Sequence, residues 1–267
     1  MAKDEKVNLL RRFMLVLEYD GTRYSGWQKQ KDARTIQGTL LEAAAQIFPQ
    51  PVDIQGNGRT DAGVHALYYV AHLEAQTNLK PDTIRMRLND LLPVDIVVLA
   101  VEKCHPRFHA RHSCIGRSYM YRISRRKTAF AKKYVWWVKD KLDLASMREA
   151  AAQFEGMHDF AAFAEFAELK KSTRVLLNSV RLDEEDDMII FRVIGSHFLW
   201  KMIRRMAGVL VEVGRHNLTP SNVQEFPSHP APDSIRFTAP PSGLFFEHAF
   251  YNQEHFEDFL AGIEEVS

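Results

Sequence analysis

Gly56-Asn57-Gly58-Arg59-Thr60-Asp61-Ala62-Gly63-Val64-His65-Ala66 gathers three glycines, an arginine, a carboxylate and a histidine into one short stretch. Glycine lets a backbone turn tightly or lie close to a ligand. Gly58 and Gly63 bracket Arg59 and Asp61, so both charged residues are expected on a tight, well-fixed loop. An arginine two residues before an aspartate can pair with it or clamp a phosphate beside it. The run Val52-Asp53-Ile54 precedes the loop, and residues 65–73, rich in valine, tyrosine and leucine, follow it. The reading is strand, functional turn, strand. The alternative is a glycine-rich hairpin whose aspartate makes an Asx-turn. The spacing is neither a P-loop, since no Gly-Lys-Ser/Thr follows, nor the dinucleotide fingerprint.

Outward from this loop, residues 12–19 read as a strand ending at the turn signal Asp20-Gly21. In Thr22-Arg23-Tyr24-Ser25-Gly26-Trp27-Gln28 the aromatics can face RNA or the core, and Trp27 is expected in the core. Thr35 is a helix N-cap, with Ile36, Leu40, Leu41, Ala44 and Ile47 at helical spacing up to Phe48, where Pro49 and Pro51 stop the helix. Residues 81–92 form a second helix with Ile84, Leu88 and Leu91 inward, stopped by Pro93, and residues 96–101 a strand. The order strand-helix-strand-strand-helix-strand is the ferredoxin-like plan.

The remainder repeats that plan with variations. Residues 113–124 read as a strand with Arg117, Tyr119 and Tyr121 on one face. Arg125-Arg126-Lys127 and Lys132-Lys133 form the clearest basic cluster. Residues 142–154 read as a helix, and 175–182 and 188–194 as strands around the acidic turn Asp183 to Asp187. Residues 198–213 read as a helix whose stripe is Leu199, Met202, Ile203, Met206 and Leu210, with Lys201, Arg204 and Gly208 opposite. Residues 217–237 read as an ordered loop, 244–251 as the last strand and 255–263 as a terminal helix. The fold class is α/β (α+β): two ferredoxin-like halves with mostly antiparallel sheets, residues 8–103 carrying Asp61 and 104–267 carrying Tyr119 and the late arginine helix.

The chain's 267 residues allow one large domain or two smaller ones. Its 35 Lys and Arg nearly balance 34 Asp and Glu, which leaves room for a local basic groove. Cys104 and Cys114 have no CxxC spacing and read as reduced thiols. No apolar run reaches membrane-spanning length, and residues 1–7 are charged, without an apolar signal core. The expected compartment is the cytoplasm.

His105, His109 and His112 with the two cysteines invite a metal reading, but their spacing fits no zinc pattern. Arg107, Arg111 and Arg117 lie among them, which suits a phosphate backbone better than a cation. A base-modifying site needs a nucleophile or general base, a planar side chain to stack on the base, and cations for phosphates. Asp61 can be the first and Tyr119 the second. Arg59, Arg117, Lys201, Arg204 and the 125–133 cluster can supply the third.

These residues resemble the TruA-type family of tRNA pseudouridine synthases. Gly58 to Ala66 matches the family signature throughout. Leu17-Glu18-Tyr19-Asp20-Gly21, Gly26-Trp27-Gln28, Thr35-Ile36-Gln37-Gly38, Leu88-Asn89, Leu92-Pro93 and Asp95-Ile96 match earlier motifs. Phe108-His109-Ala110-Arg111 with Arg117, Tyr119 and Tyr121 matches the tyrosine motif. Asp159-Phe160 with Phe163, Lys171-Ser172-Thr173-Arg174, Phe198-Leu199-Trp200 with Met202, Arg204 and Gly208, and Ala239-Pro240-Pro241 with Gly243-Leu244 match further on.

The resemblance implies conversion of uridine to pseudouridine at tRNA positions 38, 39 and 40 in the anticodon arm, without cofactor or metal, by a homodimer. It implies that Asp61 is the essential carboxylate, attacking C1′ or C6 or acting through a glycal, with Arg204 keeping it ionised. Arg59 then holds the flipped nucleotide, Tyr119 stacks on uracil and removes the C5 proton, and Leu244 walls the ring. His65, Arg111, Arg117, Lys201, Arg125, Arg126 and Lys127 are the implied RNA contacts. The chain departs from the family pattern at Lys201, usually histidine, at Ala161-Ala162-Phe163, and at Ile235-Arg236-Phe237. A catalytically silent RNA binder would lack Asp61 or Tyr119, and a metal-dependent RNA hydrolase would carry a metal-binding cluster.

Overall fold

The computed structural model describes residues 9–165, 172–225 and 236–265. The first residues, Lys171 and residues 226–235 of the 217–237 loop lie outside them; within the described part of that loop Pro220–Glu225 is helical. The chain divides into two compact units between Cys114 and Ile115, not at Lys103. Residues 104–112 stay with the first unit because its sheet holds them: Arg12 donates to the Phe108 carbonyl (2.8 Å) and the Ala110 amide to His72 Nδ1 (3.2 Å).

In the first unit β1 (Leu10–Tyr19), β2 (Asp53–Gly56), β3 (His65–Gln76) and β4 (Ile96–Lys103) lie antiparallel in the order β4-β1-β3-β2, with α1 (Ile36–Ile47) and α2 (Pro81–Leu91) between them in sequence. α1 starts where the Thr35 hydroxyl accepts from the Gly38 amide and buries Ile36, Leu40, Ala43 and Ala44. α2 takes Pro81 in its first turn and buries Ile84 and Leu88, whereas Leu91 is exposed. Asn89 brackets Val98 of β4 through both its amide atoms (2.9 and 2.8 Å), satisfying backbone at the sheet edge.

The second unit contains β5 (Gly116–Ser124), the short β6 (Trp136–Trp137), α3 (Leu144–Ala152), β7 (Gly156–Asp159), β8 (Arg174–Glu185), β9 (Met188–Gly195), α4 (Met202–Gly214) and β10 (Leu244–Phe250), then a terminal helix Gln253–Glu265. Its main strands run β10-β5-β9-β8-β7, and β6 adds a parallel pairing to β5. Asp183 to Glu185 belong to β8, so the acidic turn is narrower than the sequence reading. α4 begins at Met202, not Phe198, and Lys201 before it is left-handed (φ 59°). Gly208, read as facing away from the core, is buried. Asp159 and Thr173 tie β7 to β8 (hydroxyl to carboxylate 2.5 Å), beside a cluster of Phe154, Phe160 and Phe163. No helix among the described residues is long and apolar enough to cross a membrane.

His72 is buried and its ring lies tilted against that of His109 (4.8 Å), which lies tilted against His112 (4.3 Å). Burial first, then His109 and Arg12, lower the His72 pKa to about 4. A histidine held neutral by the fold contributes its full stability above its unfolded value of about 6.5 and loses it as pH falls toward 4. In His72→Asn the amide oxygen still accepts from Ala110 but does not titrate. Between pH 6.5 and 4 the wild type is expected to lose on the order of 3 kcal/mol more than this variant, measured by urea unfolding. Parallel curves would show that His72 is not the titrating group.

Candidate active site

The Asp61 loop joins β2 to β3 and is held by the segment after β1. The Val64 amide donates to the Asp61 carbonyl (3.2 Å), closing a turn over Ala62 and Gly63. Gly63 has φ 79°, as the third position of such a turn requires. The Gly63 amide donates to Tyr24 (3.3 Å), and the Trp27 amide to Thr60 (3.1 Å). Tyr19 and Thr60 share a hydroxyl hydrogen bond (2.9 Å), and the Tyr69 phenol donates to the Gly58 carbonyl. Tyr19, Trp27 and Tyr69 form one aromatic cluster below. Trp27 is thus core, as expected, and Tyr24 is buried too, its hydroxyl on Asp95 (2.6 Å). On this base Asp61 is half-buried and Arg59 is exposed.

His65 does not reach out to a ligand. It is buried, with Nδ1 accepting from the Gly21 amide (3.2 Å) and lying 3.2 Å from an Asp20 carboxylate oxygen. It therefore fastens the end of β1 to the start of β3. Arg111 is exposed beside His109, whose Nδ1 accepts from the Arg111 amide (3.1 Å).

The second unit carries the remaining candidates. Tyr119 on β5 stands opposite Phe246 on β10 and Val193 on β9. Phe198 and Phe246 both meet it edge-to-face, at 5.0 Å, and 9% of the tyrosine stays exposed, so access to the ring is narrow. Leu244 is buried opposite Tyr121, and the Tyr121 hydroxyl donates to the Pro240 carbonyl (2.7 Å). Burial raises the Tyr121 pKa, against the pull of nearby Arg204. Arg204 is half-buried, with Nε on the Ala239 carbonyl (2.8 Å). The unit thus gathers Tyr119, Tyr121, Leu244 and Arg204 from three elements.

The cations divide. Arg117 is buried and donates to the Ser196 carbonyl (2.8 Å). Arg125 pairs with Glu184 (2.5 Å) and Arg126 with Asp187 (2.8 Å). The two arginines of the basic cluster and two of the acidic residues therefore pair with one another. Lys127 lies over the Trp137 ring (5.4 Å) and is exposed.

Two residues escaped the sequence reading. Arg205 is fully buried, donating to Glu165 (2.6 Å) and the Phe163 carbonyl (2.8 Å). Glu165 also accepts from Lys201 (3.1 Å). Burial would raise the Glu165 pKa, but Lys201 and Arg205 reverse this and hold it below the ordinary carboxylate value. The signal was present: Arg205 sits three residues after Met202 and four before Val209, on the core face, where an arginine is found only when paired.

A family model described as tRNA pseudouridine synthase matches residues 15–113 and 150–252. Those stretches include Asp61, Arg204 and Leu244, and Tyr119 falls between them. The chain is 36% identical over 248 residues to tRNA pseudouridine synthase A 2 of Clostridium tetani, covering 91% of this chain and 100% of that protein. It is 37% identical over 250 residues to tRNA pseudouridine synthase A of Thermodesulfovibrio yellowstonii, covering 89% and 98%. With the same-named protein of Geobacter sulfurreducens the identity is 38% over 237 residues, covering 88% and 97%. With the signature loop inside the matched residues and the relatives matched over nearly their whole lengths, the chain belongs to the TruA-type family of tRNA pseudouridine synthases.

Proposed function

We propose that this protein isomerises uridine to pseudouridine in tRNA, at positions 38, 39 and 40 of the anticodon arm. The observation that carries the reading is the Asp61 loop: its backbone is anchored from Tyr24, Trp27 and Tyr69 while Asp61 stays half-buried beside an exposed Arg59. A carboxylate on a rigid, water-accessible turn next to a cation suits attack on a nucleotide whose phosphate is held nearby. The target nucleotide leaves its stack, at a cost of a few kcal/mol that is smaller near a loop than inside a duplex. Asp61 acts at C1′, at C6, or on the 2′ proton. The C1′–N1 bond breaks, uracil turns and rejoins C1′ of the ribose through C5, C5 loses its proton and N1 takes one up. The product is an isomer of the substrate, so the step consumes no oxidant or reductant. Tyr119 is the stacking ring and its hydroxyl the acceptor of the C5 proton, directly or through water. Arg204 supports the ionised Asp61 and Leu244 contributes an apolar wall.

Both units are read as ferredoxin-like halves serving one basic RNA-binding cleft; the strand orders β4-β1-β3-β2 and β10-β5-β9-β8 support the halves. A homodimer in the cytoplasm belongs to the same proposal. Exposed Arg59, Arg111 and Lys127 are the better placed phosphate contacts, and His65 and Arg117 act from inside the fold.

Undermodified tRNA tritiated at C5 of uridine tests the reading. Wild-type protein is expected to release tritium without added metal, with modification mapping to positions 38 to 40. Tyr119→Phe keeps the ring and removes the hydroxyl. It is expected to slow release by about 10²-fold or more while tRNA binding stays within a few-fold. Tight tRNA binding without any release by the wild type would leave an RNA-binding protein instead.

A further inference from the structure

Residues 198–201 lie in the connection from β9 to α4 in the second unit. At one end Phe198 meets Tyr119 edge-to-face. Two residues later Trp200 is 51% exposed. An indole is a large apolar body, and leaving half of one in water forgoes burial that folding normally takes. The Lys201 ammonium lies 4.4 Å from the centre of that indole and 3.1 Å from Glu165. Lys201 also sits in the left-handed region (φ 59°) and makes no side-chain cap for α4. For a residue with a Cβ that conformation costs roughly 1–2 kcal/mol, and such strain persists only where surrounding structure enforces it.

The enforcing structure is visible. Arg205, fully buried, fixes Glu165 from behind (2.6 Å) and is itself held by the Phe163 carbonyl. Glu165 in turn fixes the Lys201 ammonium. An internal ion pair therefore holds a cation against a half-exposed indole at the surface. Helix capping does not require this arrangement, and neither does core packing. At most ~7 Å of extended chain separates Phe198 from Trp200, the scale of one step along a nucleic-acid strand.

We propose that Trp200 and Lys201 form a subsite for a second nucleotide, an unpaired base adjoining the target uridine. This rests on the tRNA reading above. The base stacks on the indole and Lys201 takes its phosphate. Stacking of a base on an aromatic side chain contributes about 1–3 kcal/mol and tolerates any base, so the subsite fixes where the strand lies without selecting its sequence. Glu165 and Arg205 are positioning residues that act through Lys201.

The test uses the full-length protein and an anticodon stem-loop RNA in which the nucleotides flanking the target uridine are made abasic one at a time. Trp200→Ala is expected to raise KM and the binding constant about 10-fold, with kcat within twofold and unchanged thermal stability. Trp200→Phe is expected to recover most of the affinity. One abasic RNA is expected to bind the wild type about 10-fold more weakly yet bind Trp200→Ala no worse than the intact RNA does. Lys201→Gln is expected to flatten the salt dependence of binding while the abasic effect persists. Wild-type affinity in Trp200→Ala would overturn the proposal, as would an equal loss on intact and abasic RNAs. Absence of tritium release by the wild type would count against the synthase reading alone, because the abasic comparison reads the subsite through binding.

Discussion

Asp61→Asn is expected to lower tritium release from C5-labelled tRNA by at least about 10³-fold, the largest effect of any single change in this protein. Asparagine matches aspartate in size and keeps the backbone of the turn, so the Val64-to-Asp61 hydrogen bond and the positive φ of Gly63 survive. What changes is the chemistry: a neutral amide replaces an ionised oxygen and cannot attack carbon or take the 2′ proton. Unfolding midpoint and tRNA affinity are expected to stay close to wild type, which separates a catalytic loss from a structural one. Single-turnover release with enzyme in excess is the measurement. Release within 10-fold of wild type would remove Asp61 from the chemical step.

Gly26→Ala is expected to injure both stability and activity without touching a reacting group. Gly26 has φ 85°, and a Cβ there would lie 2.4 Å from the Thr60 carbonyl oxygen and 3.2 Å from the Asp61 carbonyl carbon. Backbone cannot swing aside as a flexible side chain can. Left-handed strain contributes about 1 kcal/mol and forced overpacking about 1–3 kcal/mol, for a loss of ~2–4 kcal/mol in urea unfolding. Relief comes from pushing residues 60–62 outward. A displacement approaching 1 Å at a reacting carboxylate costs on the order of 10²-fold in rate. Activity measured well below the unfolding transition is therefore expected to fall by about that factor. A variant that is destabilised but fully active would show that the loop relaxes elsewhere than at Asp61.

Local signals carried much of the fold. Thr35, Pro81 and Pro93 punctuate the helices of the first unit where the structure caps and ends them, because caps and proline stops act within a few residues. The α4 boundary failed for a related reason. Phe198-Leu199-Trp200 continues the helical period, but Lys201 turns left-handed before Met202, beside a Glu165 carboxylate from a different segment. The basic run at 125–127 misled similarly. Antiparallel pairing sets Ser124 opposite Met188 and Met188 opposite Glu185, which brings Arg125 and Arg126 onto acidic residues some sixty positions away. Charge counted along a chain does not show which charges the sheet cancels.

The sequence alone determined the Asp61 turn and the alternation of strands and helices. Both follow from backbone conformation and from periodicity within short windows. The placement of its cations and histidines was decided by tertiary structure. Arg59 ends exposed while Arg117, Arg205 and His65 end buried, and only for Arg205 does the helical spacing of its neighbours mark an internal tie. That difference depends on desolvation and on partners such as Ser196, Glu165 and Gly21, which only folding brings within hydrogen-bonding distance.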